Sequence, residues 1–216
     1  MKKIALLSFA ALAFSGLASA SLIPSSPTVV GVVYTYTAAL DGNEQLNNSL
    51  ALAGNTCSTT GSTTTGVPCG QFFTLFDIPS TAPISATAPV LWNASIQLLG
   101  VKNILTGLAI SDSPTLSNVT FTYIGGAPGT LTPGGPPILG PVAALGPFTI
   151  TAPGTVLGSN NIAFAFNTAH LPDTTFADQG AGVVSGPMLG VPEPASMLLI
   201  GGGLVGLALL RRKLVR

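Results

Sequence analysis

The sequence predicts an all-β fold: a single antiparallel β-sandwich or jelly-roll-like domain, flanked by an N-terminal signal-peptide helix and a C-terminal transmembrane helix. Runs of β-branched and aromatic residues alternate with breaks built from the 26 Gly and 18 Pro of the chain. The central chain nowhere sustains the apolar period of about 3.6 residues that an amphipathic helix needs. Only 6% of residues are charged, so Thr, Ser, Asn and Gln must supply the polar surface, and Thr favours strands.

The first 20 residues have the three parts of an export signal peptide. Lys2 and Lys3 form the positive end, and residues 4–14 form an apolar stretch too short to span a bilayer. Residues 18–20 (Ala-Ser-Ala) predict cleavage after Ala20. The predicted parts are a signal peptide (1–20), an exported domain (21–190) and a C-terminal segment (191–216).

Six segments of the exported domain have strand signals. They are 28–37, 71–77, 90–99, 117–125, 146–151 and 161–168. Where apolar and other residues alternate, one face is expected to be buried. The residues expected to share such faces are Tyr34 and Tyr36; Val119, Phe121 and Tyr123; Ile162, Phe164 and Phe166. In the fourth segment Asn118, Thr120 and Thr122 are expected on the opposite, solvent face.

Breaks separate these strands. Asp41-Gly42 predicts a tight hairpin turn, since Gly accepts positive φ and Asp tolerates it. Residues 125–141 contain five prolines, which predict a long loop or extended connector. The Gly-rich stretch 180–190 is either the last strand or a linker.

Cys57 and Cys69 are the only cysteines, and an exported chain with two cysteines favours a disulfide between them. Closing this loop would stabilise the fold by roughly 3 kcal/mol. A zinc site is the rival interpretation, but the spacing is longer than the short C-x₂₋₄-C pattern of zinc ligands.

The charge balance of the exported domain argues against nucleic acid as a partner. Lys102 is its only basic residue against six acidic ones, which gives a net charge of about −5. Binding to phosphates needs a basic surface.

Catalytic signals are weak, and we predict a protein that is not an enzyme, with no cofactor and no metal. A hydrolase would have to use His170, the single histidine, with Asp173 or Asp178 as its partner. No G-x-S-x-G motif is present. The six acids are scattered in predicted loops and give no sign of the paired carboxylates that glycoside hydrolysis needs.

Two binding signals also have plainer interpretations. Residues 41–44 (Asp-Gly-Asn-Glu) offer clustered oxygens for calcium, but they lack a full EF-hand pattern, and a hairpin turn is favoured. Trp92 and the three tyrosines could stack on sugar rings, but aromatic residues on alternating strand positions are more often core.

The C-terminal segment combines three features in order. Pro192-Glu193-Pro194 comes first, then an apolar stretch over 195–210, then the basic tip that starts at Arg211-Arg212-Lys213. As a helix the stretch would be about 24 Å long. This is shorter than the hydrocarbon core of roughly 30 Å, and snorkelling of the arginines would close the gap. The basic tip predicts a cytoplasmic C-terminus.

These residues resemble the PEP-CTERM sorting signal of exported bacterial proteins. The resemblance implies recognition by an exosortase-like membrane enzyme, removal of the tail near Pro192-Glu193-Pro194, and delivery to the cell surface or the exopolysaccharide matrix. It implies no activity for the domain in front.

The sequence therefore predicts an exported structural or adhesive protein that is transiently anchored in the membrane, with extracellular polysaccharide as a further partner. The alternative is a carbohydrate-binding module, with calcium as an assisting ion. A hydrolase centred on His170 is a third hypothesis.

Overall fold

The structure of the chain is a computed structural model that describes residues 22–46, 56–59, 67–68, 70–103, 110, 112–125, 138–170 and 177–190. The predicted signal peptide and the segment from 191 onward lie outside these ranges. The described part is all-β, with antiparallel strand pairs. None of its residues belongs to a helix long and apolar enough to cross a membrane.

The described residues form fifteen strands. In chain order they are β1 (Leu22–Pro24), β2 (Thr28–Val30), β3 (Val33–Leu40), β4 (Glu44–Leu46), β5 (Thr56–Thr59), β6 (Val67–Pro68), β7 (Phe72–Ile78), β8 (Ser85–Thr87), β9 (Trp92–Gln97), β10 (Val101–Asn103), β11 (Ser117–Tyr123), β12 (Ile138–Leu139), β13 (Val142–Thr151), β14 (Thr155–His170) and β15 (Ala177–Leu189).

Three sheets organise these strands. A five-stranded sheet has the order β1-β3-β13-β8, with β2 also paired to β3. A seven-stranded sheet has the order β12-β4-β14-β7-β11-β9, with β15 also paired to β14. A three-stranded sheet has the order β10-β5-β6.

One aromatic core joins the two larger sheets. Phe148 of the five-stranded sheet lies 4.9 Å from the ring centroids of both Phe73 and Trp92 in the seven-stranded sheet, nearly perpendicular to each. Edge-to-face contacts of this kind add to the stabilisation that burial provides. All the residues predicted to share core-facing positions are buried: Tyr34, Tyr36, Val119, Phe121, Tyr123, Ile162, Phe164 and Phe166.

Most predicted strands are confirmed, with shifted ends. Segments 71–77, 90–99 and 117–125 correspond to β7, β9 and β11, and 146–151 and 161–168 lie inside the longer β13 and β14. The Gly-rich stretch 180–190 belongs to a strand, β15, rather than a linker.

The predicted strand over 28–37 is wrong as a single element. Gly31 adopts a φ of 61°, and the chain turns there, so that Val30 pairs with Val33 and Thr28 with Thr35. Only glycine takes this backbone conformation without steric strain. The β-branched run is therefore a tight hairpin formed by β2 and β3.

The hairpin predicted at Asp41-Gly42 is also wrong, although the tight turn is present. The backbone N–H of Glu44 donates to the carbonyl of Asp41 at 3.1 Å, which closes the turn. However, β3 belongs to the five-stranded sheet and β4 to the seven-stranded sheet. The turn carries the chain from one sheet to the other.

The longest pairing joins β14 and β15, with Thr155 opposite Leu189 and Ala169 opposite Ala177. Glycines of β15 leave room for aromatic rings of β14. A Cβ added at Gly180 would lie 2.5 Å from the ring of Phe166, and one at Gly182 would lie 2.9 Å from the ring of Phe164. These glycines let buried rings reach the edge of the sheet.

Candidate functional site

The seven-stranded sheet is buried on both faces at β7. Phe73 and Leu75 point into the aromatic core, whereas Phe72, Thr74 and Phe76 lie on the opposite face and are equally buried. Gly100 lies against the ring of Phe76, so closely that any side chain at this position would clash with it. The segment that follows β9 therefore covers the outer face of the sheet.

Asn118 and Thr120 of β11 were predicted to face solvent, and this is wrong. Both are buried, and Nδ2 of Asn118 donates to the carbonyl of Leu98 in the covering segment at 2.9 Å. The Oγ1 atom of Thr120 lies 2.8 Å from Oγ1 of Thr74 and accepts a hydrogen bond from Nε2 of Gln97, also at 2.8 Å. Polar residues can be buried here because they bind one another.

Two carboxyl groups meet at one end of this covered face, and they form the candidate site. The carboxyl groups of Asp77, at the end of β7, and Asp112, in the loop before β11, lie close enough to influence each other electrostatically. An ionised carboxylate accepts hydrogen bonds but cannot donate one. Each acid can therefore accept hydrogen bonds from the backbone and side-chain donors that surround it.

The covering segment is attached to this pair through its backbone. The N–H of Gly100 donates to Oδ2 of Asp112 at 2.8 Å, and the N–H of Ser113 donates to Oδ1 of Asp77 at 2.8 Å. Asn118 joins both acids, because its Nδ2 donates to Oδ1 of Asp112 at 3.0 Å and its Oδ1 accepts from the N–H of Asp77 at 2.8 Å.

The electrostatics of the pair favour the protonated form of Asp77. Desolvation by burial is the largest cause that raises the pKa of Asp77, and the neighbouring Asp112 raises it further. The hydrogen bond from the N–H of Ser113 lowers it, and this effect is smaller than that of burial. These are the expected responses of a partly desolvated carboxyl beside a like charge.

This pairing corrects the prediction of scattered acids, but its geometry does not match glycoside hydrolysis. The carboxyl groups of glycosidases stand about 5–9.5 Å apart across the sugar. Asp77 and Asp112 are linked to each other through Asn118, and backbone and amide groups of the fold occupy their oxygens. The arrangement is suited to fastening the covering segment to the sheet.

The other predicted candidates are distributed differently. Asp41 binds the N–H of Gly42 through Oδ1 at 2.7 Å, whereas Glu44 is completely buried, with its carbonyl bound by the N–H of Gly140 at 2.8 Å. The turn is therefore packed against the segment before β13. In the described part of the chain, no three residues of the His, Cys, Asp and Glu types are grouped as metal ligands would be.

Two of the three residues of the histidine hypothesis lie among the described residues. The backbone of His170 pairs with Glu44, and Asp178 pairs with Thr168, while Asp173 lies outside the described residues. All three tyrosines and Trp92 are buried, which confirms their assignment to the core. The aromatic surface that would favour sugar stacking is therefore not available from these residues.

Of the two cysteines predicted to form a disulfide, one lies among the described residues. Cys57 lies in β5, opposite Val67 of β6. Cys69 lies outside the described residues, as do the sorting residues Pro192, Glu193 and Pro194 and the basic residues Arg211, Arg212 and Lys213.

Comparison with known proteins identifies the segment that follows β15. A family model described as the PEP-CTERM protein-sorting motif matches residues 190–213. The chain carries a PEP-CTERM motif. It is therefore a substrate for sorting and export of the exosortase type. No curated protein and no solved structure matches the chain.

Proposed function

We propose that this chain is a non-enzymatic, exported structural or adhesive protein of the cell surface or exopolysaccharide matrix. A helix over 195–210 anchors it transiently in the inner membrane with the domain outside, and an exosortase-like enzyme then removes the tail at Pro192-Glu193-Pro194. The observation that carries this proposal is the position of the motif. It begins at residue 190, directly after β15 ends at Leu189, so cleavage within it leaves every described strand intact.

The tail has the chemistry that temporary anchoring requires. Arg211, Arg212 and Lys213 would hold the cytoplasmic end by their attraction to anionic headgroups. Three consecutive glycines at 201–203 weaken the helix by about 1 kcal/mol each relative to alanine. A short, weak helix holds the precursor long enough for processing without making the anchor permanent.

The domain in front is proposed to be one β-sandwich, covering residues 21–190. Its support is the aromatic core, to which Phe148 of one sheet and Phe73 of the other both contribute. Face-to-face packing with alternating inward residues is the general pattern of sandwiches.

We also propose the Cys57–Cys69 disulfide. It is supported by the β5–β6 pairing, which places Val67 opposite Cys57, only two positions before Cys69.

No observation favours the carbohydrate-binding alternative over this function. Sugar-binding faces usually present aromatic rings, and every Tyr and Trp of the chain is buried. A surface rich in Thr and Ser and poor in charged residues is compatible with contact to hydrated polysaccharide. Such contact would rest on many weak hydrogen bonds rather than on one site.

Substitution within the motif tests the processing step. In cells that make an exosortase, replacing Pro192, Glu193 and Pro194 by alanine should leave the full chain in the membrane, while the unchanged chain loses its tail. Pro83→Ala, in an exposed loop, is the matched control and should be processed normally. Immunoblotting of membrane and surface fractions measures both. Normal processing of the triple variant would contradict the proposal.

A further inference from the structure

One end of the domain, where the β14–β15 hairpin begins and ends, is exposed and apolar. We call it the apolar end and define it by Val30, Val156, Leu157, Met188 and Leu189. The exposed fractions are 81% for Val30, 52% for Leu189, 51% for Val156 and 49% for Leu157. The strand register places Val156 beside Met188 and Thr155 beside Leu189. Val30 lies at the same end, since it pairs with Val33, which is opposite Thr151 just before β14. Exposed apolar surface of this kind generally marks an interaction site.

The hairpin end is apolar on both of its faces. Thr155 faces inward, since its Oγ1 lies 2.9 Å from the hydroxyl of the buried Tyr34. Successive strand residues alternate between faces, so Leu157 shares the face of Thr155 while Val156 lies on the other. The domain covers neither Leu157 nor Val156, which are each about half exposed. A hairpin end that carries apolar side chains on both faces is suited to insertion into a fluid apolar phase such as lipid.

Charge distinguishes this end from the opposite one. Segments 28–33, 151–158 and 184–190 contain no charged residue. At the other end of the sheets, Asp41 follows β3 and Asp178 lies in β15 beside Thr168. A surface without acids avoids repulsion by anionic lipid headgroups.

The chain length fixes where this end lies in the anchored precursor. Only residues 190–194 separate Leu189 from the predicted membrane helix at 195. Even fully extended, this connection spans roughly 20 Å. The apolar end is therefore held close to the headgroup region.

We propose that, before the tail is removed, the apolar end docks onto the lipid bilayer. The inference rests on the membrane anchoring in the proposed function. Docking would orient the domain on the membrane and hold the Pro-Glu-Pro residues close to the bilayer surface. Cleavage would remove the tether, and the weak contact of a few apolar side chains would no longer retain the protein.

Lipid photolabelling of the full chain tests this. The protein is reconstituted in vesicles of phosphatidylethanolamine with a minority of phosphatidylglycerol and of a phospholipid that carries a diazirine near its headgroup. After illumination, labelled peptides are mapped by mass spectrometry. Labels are expected on 155–158, on 188–189 and within 195–210, but not on Val90 or Leu139 at the opposite end.

Paired variants make the test specific. Leu157→Ser with Leu189→Ser should lower labelling of the apolar end about tenfold. Val90→Ser with Leu139→Ser, which are also exposed residues, should leave it unchanged. Circular dichroism and thermal unfolding establish that both variants are folded.

The failures are distinguishable. Labels confined to 195–210 would overturn docking and leave anchoring intact, whereas the absence of label in 195–210 would overturn anchoring itself. Cross-links between two protein copies at 155–158, in place of lipid adducts, would overturn docking in favour of self-association.

Discussion

At the residue scale, the Asp77–Asp112 pair is the feature with the most direct consequence. Asp77 has a positive φ of 55°, which is uncommon for a residue other than glycine and is tolerated best by Asn and Asp. Its backbone N–H is bound by Asn118 and its carboxyl by Ser113. The fold thus fixes this residue from both sides and holds it beside a second acid.

The raised pKa of Asp77 makes stability depend on pH. Burial and Asp112 raise the pKa of Asp77 above its ordinary value of 3.8, so between these two pKa values the folded state binds more protons than the unfolded state. The stabilisation is fully present below pH 3.8 and is lost as pH rises through the pKa of the folded state. Chemical denaturation at a series of pH values measures this decrease.

Asp77→Asn is the matched variant for this prediction. Asparagine keeps the Oδ1 acceptor for the N–H of Ser113 and cannot ionise. The contribution of this site to the pH dependence should therefore disappear. An unchanged slope in the variant would show that Asp77 is not a source of the pH dependence.

The sequence carried a partial signal for this pair. Asp77 ends a predicted strand and Asp112 shortly precedes another, so local patterns give no reason to pair them. The pairing could not be predicted because it depends on β7 and β11 being neighbours in the sheet. It also depends on the segment after β9 folding back over Phe76. Both are long-range contacts that local patterns do not specify.

At the scale of elements, β15 depends on glycines that local propensity disfavours in strands. Gly180 and Gly182 lie opposite Phe166 and Phe164, and the rings occupy the space of the missing side chains. The sequence alone does not decide whether residues 180–190 form a strand or a linker, because the glycine-rich composition of this stretch resembles that of a linker. The rings that require these glycines lie in another strand.

Gly180→Ala should therefore destabilise the domain by about 1–3 kcal/mol, because its Cβ would lie 2.5 Å from the ring of Phe166. Gly190→Ala is the control, since its Cβ would make an ordinary 3.7 Å contact with Val156. The control should be neutral or slightly stabilising. Urea denaturation of both variants measures the difference, and equal stabilities would refute the packing argument.

The β5–β6 hairpin provides a second test at this scale. If Cys57 and Cys69 form a disulfide, its reduction should lower the free energy of unfolding by roughly 3 kcal/mol. The Cys57→Ser/Cys69→Ser variant should show the same loss and should no longer respond to reductant. Indifference of the wild-type protein to reductant would argue against the bond.

At the scale of the whole molecule, the all-β class and its core followed from alternation and composition. Tyr34, Phe121 and Phe164 were placed correctly because period-2 patterns determine which face is buried. The sheet order was not predictable, and the turn at Asp41-Gly42 shows why. Its sequence specifies a tight turn, whereas whether the next strand pairs with the preceding one or crosses to the other sheet depends on distant partners.

The sorting signal was readable from sequence because it is a linear motif that does not depend on folding. It lies at residues 190–213, beyond the last described strand. The described part of the domain gives less information about its role, since the buried polar groups of β7 and β11 bind one another and the described aromatic residues are buried. The proposed function therefore rests chiefly on where the chain is cut and delivered.

The intact mass of the protein from the native surface fraction tests this most directly. We expect a species that begins at Ser21 and ends within 191–194. Its mass should be lower than that of the dithiol form by two hydrogen atoms, because of the disulfide. A surface species that still carries residues 211–216 would make the tail a permanent anchor. It would contradict both processing and release to the matrix.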